Sequence, residues 1–73
     1  MARKQYHVSP IGSQWKVTLQ GATLGTYLTK QRAVDEGVSV ARRNAPSQLI
    51  IHRSDGKIED ERTYENDPYP PPG

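Results

Sequence analysis

The sequence has two histidines, His7 and His52. Either could act as a general acid or base if a pocket enclosed it and set its pKa. Four carboxylates lie close together at Asp55, Glu59, Asp60 and Glu61, a grouping that would suit a cation if all four shared a face. Alternation along a strand sends neighbours to opposite faces, so these acids read as solvated edge charge and no metal is expected. His52 is expected to lie across a hairpin from Glu59, an ordinary cross-strand pair. No Gly-rich phosphate loop, nucleophile elbow or metal-ligand spacing occurs in the chain. The residues therefore point to a non-enzyme without a cofactor, a protein that binds.

The element that must position these groups is the stretch Thr29 to Asn44, TKQRAVDEGVSVARRN, where apolar residues recur with helical period. Ala33, Val34, Gly37, Val38 and Ala41 make one stripe, with Val40 at its edge, and the charged residues lie mostly off it. Thr29 suits the N-cap, and Arg42 and Arg43 sit where the helix dipole favours cations. Asn44 and Pro46 end the helix. The stripe is thin, so the helix can lie close on a sheet, and Gly37 reads as a packing allowance.

Strand-like alternation flanks this helix. Residues 5–10 place Tyr6 and Val8 on one face and His7 and Ser9 on the other, and residues 14–20 do the same with Trp15, Val17 and Leu19 against Lys16, Thr18 and Gln20. The Pro10-Ile11-Gly12-Ser13 turn joins them as a hairpin whose apolar face meets the helix. Gly21 to Gly25 reads as a turn, with a short third strand at residues 25–28. After the helix, residues 48–53 and 57–62 flank Ser54-Asp55-Gly56, where Asp-Gly predicts a two-residue type I′ turn. That turn would set Arg53 opposite Ile58 and His52 opposite Glu59. Ile51 would face Asp60 and Leu49 would face Arg62, with Leu49, Ile51 and Ile58 toward the core and Ile50, His52, Lys57, Glu59 and Glu61 outward.

Composition bounds what such a chain can do. At 73 residues, 33% apolar, without phenylalanine or cysteine, it is one small domain that neither disulfides nor a structural zinc can staple. So small a core raises the expectation of a homodimer or another protein partner. No run approaches the roughly 18 apolar residues of a membrane span, and a soluble cytoplasmic protein is expected. Residues 1–57 hold nine Lys/Arg against three Asp/Glu, and residues 58–73 hold one against five, giving a basic body and an acidic tail.

YHVSP at residues 6–10, QWKV at 14–17, a helix entered by Thr29-Lys30-x-x-Ala33, LIIHRSDGKI at 49–58 and YENDPYPPPG at 64–73 together carry a resemblance. The chain resembles a family of small bacterial and phage proteins catalogued as domain of unknown function 2188. The resemblance implies a sheet of antiparallel strands with one helix against it, and no established activity.

The resulting expectation is an α+β fold in ββ(β)αββ order: a small antiparallel sheet, one helix packed across one face, and an extended Pro-rich tail. A basic arm at 1–4 precedes the domain at 5–62, and the tail at 63–73 packs on it. Function is read as protein–protein interaction, chiefly self-association, through Ile50, His52, Lys16, Tyr64, Tyr69 and Pro70. The alternative is nucleic-acid binding through Arg3, Lys4, Lys16, Lys30, Arg32, Arg42, Arg43, Arg53 and Lys57.

Overall fold

A computed structural model describes residues 4–65. The arm residue Arg3 and the tail from residue 66 onward, including Tyr69 and Pro70, lie outside the described residues. Five strands and one helix follow in the order β1 (Lys4–Ile11), β2 (Gln14–Leu19), β3 (Ala22–Tyr27), α1 (Lys30–Arg43), β4 (Ser47–His52) and β5 (Ile58–Tyr64).

The helix begins and ends where its caps dictate. Thr29 Oγ1 accepts from the Arg32 amide at 3.2 Å, satisfying one of the orphan donors of the first turn. At the other end the Asn44 amide donates to the carbonyls of Val40 and Ala41, and Ser47 Oγ donates to Ala41 O at 2.6 Å. The predicted stripe is the buried one: Ala33, Gly37 and Ala41 are buried, and Val34, Val38 and Val40 pack against the core. The opposing layer is Tyr6, Val8, Val17, Leu49 and Ile51, all buried, with Trp15, Leu19, Tyr27 and Tyr64 packed around it. Trp15 thus faces the helix as its alternation requires, with Lys30 Nζ 5.4 Å from the ring centroid.

The sheet is mixed, in the order β3-β2-β1-β4-β5, where antiparallel pairing throughout was expected. The reason is topological. In the meander β1-β2-β3 both outer strands run the same way, and a helix returning antiparallel to β3 delivers β4 in that direction. Beside either outer strand β4 must then be parallel. It joins β1, with Tyr6 opposite Leu49 and Val8 opposite Ile51, and the helix supplies the crossover such a pair needs.

The third strand starts at Ala22, because the residues read as a turn already pair with β2: Leu19 with Ala22 and Thr18 with Thr23. The two-residue loop with positive φ at both positions is Gln20 (φ 52) and Gly21 (φ 87), the type I′ requirement. At Asp55-Gly56 only Gly56 has positive φ. There the Gly56 amide donates to Arg53 O at 2.8 Å and the Arg53 amide to Lys57 O at 2.7 Å, a three-residue loop closed by a left-handed glycine.

That longer loop changes the far hairpin. Leu49 faces Arg62 and Ile51 faces Asp60 as expected, but the register shifts at His52, which lies opposite Ile58. Ile58 is consequently 52% exposed and not part of the core. The extra residue is Glu59, and instead of pointing outward it forms an ion pair with Lys30 of the helix. A bulge places two successive residues of one strand against one of its partner, so alternation fails for Glu59 and Asp60.

Gly37 marks the closest approach of helix and sheet. A methyl group there would lie 2.9 Å from Leu49 Cδ1 and 3.1 Å from Val8 Cγ2, and both of those side chains are fully buried. Alanine gains up to about 1 kcal/mol in helix propensity, while overpacking costs about 1–3 kcal/mol and Val8 is stiff at χ1. Gly37→Ala is therefore expected to lose up to about 2 kcal/mol in urea unfolding; a stabilised variant would contradict this packing.

Candidate functional site

Among the described residues the helix covers one face of the sheet and leaves the other open. Parity along the strands sends Tyr6, Val8, Trp15, Val17, Leu49 and Ile51 to the helix and His7, Lys16, Thr18, Ile50 and His52 to the open face. The parallel register sets His7 opposite Ile50, one step from His52 on the same face of the neighbouring strand. The two imidazoles meet, with His7 Nδ1 and His52 Nε2 2.9 Å apart. Their ring planes differ by 22° and their centroids lie 5.2 Å apart. That separation is the hydrogen-bond length plus the reach of each ring, so the rings lie end to end in nearly one plane, nitrogen to nitrogen, rather than face on face.

The tautomers follow from the next contact. His52 Nδ1 lies 3.0 Å from the carbonyl oxygen of Gly56, and a carbonyl only accepts, so His52 Nδ1 carries the proton. In the neutral ring Nε2 is then the acceptor, and His7 Nδ1 is the donor to it. A directed chain results, His7 to His52 to the β4–β5 turn. Gly56 can close that turn because its left-handed φ of 92 is open to glycine.

Both rings are half-buried. Burial, and secondarily the neighbouring His52, hold the His7 pKa below its ordinary value of 6.5. The expected His52–Glu59 pair does not form: His52 engages His7 and Gly56, and Glu59 engages Lys30. Sequence reasoning placed both histidines on the outer face but missed their contact, because the parallel β1–β4 pairing sets it.

The other sequence candidates are dispersed. Ile50, flanked in register by His7 and Glu61, is only 7% exposed and offers no free apolar surface. Tyr64 lies opposite Ser47 at the end of β5 and packs against the core. Lys16 sits on the open face between Ser9 and Thr26. Arg32, Arg42 and Arg43 are exposed on the helix across the sheet from it, with Arg43 donating to Ser39 Oγ at 3.0 Å. Lys30 is engaged by Glu59 and Trp15, Arg53 and Lys57 flank the β4–β5 turn, and Lys4 begins β1. The cations therefore occupy both sides of the sheet and do not make one footprint. A groove between α1 and β5 is floored by Val34, Val38 and Ile51 and walled by charged residues; neither histidine lines it.

Among the described residues no group of three or more His, Cys, Asp or Glu is placed to hold a metal ion. No helix of the described residues is long and apolar enough to cross a membrane. Sequence reasoning did not single out Leu24 and Leu28, which are 49% and 74% exposed. The uncharged run from Leu19 to Thr29 was the available signal, obscured by starting the third strand at Gly25.

These features define a small α+β domain built on a five-stranded mixed sheet with a single covering helix. The chain belongs to the bacterial family described as "Uncharacterized protein conserved in bacteria (DUF2188)", whose pattern it matches over residues 6–64. No curated protein and no solved structure matches it.

The depressed His7 pKa links stability to pH. Between the unfolded value of 6.5 and the lower folded one the unfolded chain binds more protons, so acid favours unfolding there. Stability is expected to be level with pH above that window and to decline as pH falls through it, with a smaller decline in His7→Asn. Chemical denaturation at a series of pH values checks this; an equal decline in the variant would contradict it.

Proposed function

We propose that this protein is a non-catalytic interaction module that works by self-association. One observation carries the reading: among the described residues the most exposed large apolar side chain, Leu28 at 74%, directly follows β3, and Leu24 at 49% lies on that strand. A chain with so few large apolar residues gains from covering them. Catalysis is the weaker reading because, among the described residues, the titratable pair stands on a sheet face that no other element covers, where a general base lacks the walls that tune it. Nucleic-acid binding ranks below self-association because the cations are spread over both sides of the sheet, whereas phosphate neutralisation favours one stripe.

Sedimentation across micromolar to submillimolar concentration tests the proposal. The mass is expected to move from the 8.2 kDa of one chain toward twice that value, and Leu28→Asp is expected to abolish the shift. A mass of 8.2 kDa at every concentration would remove the reading.

A further inference from the structure

Among the described residues the sheet ends on two edge strands, β3 and β5, and they are built differently. An exposed edge presents unpaired amides and carbonyls to any other strand, and natural proteins blunt such edges with charge and bulges. On β5, Glu59, Asp60, Glu61 and Arg62 run consecutively and all are exposed, next to the bulge opposite Ile51 and His52. Arg62 engages Asp60 and Lys30 engages Glu59, yet three carboxylates against one cation keep this row of β5 acidic, and pairing it with another β5 would bring like charge together, which costs energy. On β3 there is no such guard, because no charged residue occurs from Leu19 to Thr29. The register shift beside Leu24 interrupts that edge once and leaves Gly25 to Tyr27 as an even run, with Leu28 in the bend that follows.

Resting on the self-association reading, we propose that the interface is β3 itself, paired antiparallel with β3 of a second copy across a two-fold axis. The two five-stranded sheets then become one continuous sheet. The charge pattern favours this pairing over the alternatives. A β3 edge against a β5 edge would set uncharged residues against a row of acids and would leave free edges for indefinite growth, whereas β3 against β3 is isologous and ends the assembly on two guarded strands. Leu24 and Leu28 are covered in the same step. Around Tyr27 the helix contributes Arg32, Asp35 and Glu36, both signs together, so a two-fold arrangement can set the guanidinium of each copy toward the acids of the other.

The chain contains no cysteine, so single-cysteine variants report on the pairing without background. In a two-fold antiparallel pair the one residue at the axis lies opposite its own counterpart, with Cα atoms about 4.5–5.5 Å apart and within disulfide reach, so cysteine must be tried at every position of the run. Single cysteines are placed in turn at each position from Ala22 to Leu28 in the full chain, with Glu61→Cys on the other edge as the contrast, and each is oxidised at a concentration where the wild type is dimeric. Cross-linked dimer is expected from at least one β3 variant and not from Glu61→Cys. The reverse pattern overturns the inference. If no variant links or a variant fails to fold, backbone amide exchange in the wild type decides: slowing on dimerisation within Gly25 to Leu28 supports it, and slowing confined to Ile58–Tyr64 overturns it. In either overturning case a wild-type dimer mass leaves self-association standing, whereas a monomeric wild type removes both.

Discussion

The fold depends on how closely α1 can approach the sheet. Ala33, Gly37 and Ala41 present almost no side chain to β1 and β4, so the buried side chains of Val8 and Leu49 reach the helix backbone. Dispersion between close-packed atoms and the removal of apolar area from water then do together what a bulkier stripe would do at greater distance. This is how a chain with 33% apolar residues and no phenylalanine closes a core. It also fixes the reach of the helix, which packs over β1, β2, β4 and part of β3. Beyond that reach Asp60 and Arg62 of β5 remain exposed and charged, and the groove beside Val34 and Val38 follows.

β1 is the hub of the sheet. Antiparallel to β2 and parallel to β4, it joins the meander to the second hairpin, and one residue of slip in either ladder would send every side chain of that strand to the wrong face. The same register that sets Tyr6 beside Leu49 and Val8 beside Ile51 toward the helix sets His7 beside Ile50 on the far side. The imidazole pair is thus a by-product of core registration, held further by the glycine-closed turn that offers its carbonyl to His52.

Much of this was legible in the residues. The helix, its caps and its buried stripe followed from period and end chemistry, since Thr29, Asn44 and the small residues leave little choice. The face of each strand followed from alternation wherever alternation was long, as at Tyr6-Val8 and Trp15-Val17. What misled was local: Asp55-Gly56 reads as a two-residue turn, yet only the glycine takes positive φ, and the added loop residue moves Ile58 to the surface and Glu59 toward Lys30. Strand order and the His7–His52 contact depend on which outer strand of the meander receives β4, a contest between distant segments that leaves no mark in either one. The uncharged edge at β3 was written in the sequence but became meaningful only once Ala22 to Tyr27 was known to be an edge strand.

The account stands on the assignment of faces, and proton–proton contacts measured by NMR test it most directly. The α-protons of Gly37 are predicted to show strong cross-peaks to the methyl groups of both Val8 and Leu49, while the ring protons of His7 and His52 show cross-peaks to each other's strands and none to α1. Cross-peaks from either imidazole to the valines of the helix, with Gly37 silent toward Leu49, would contradict it.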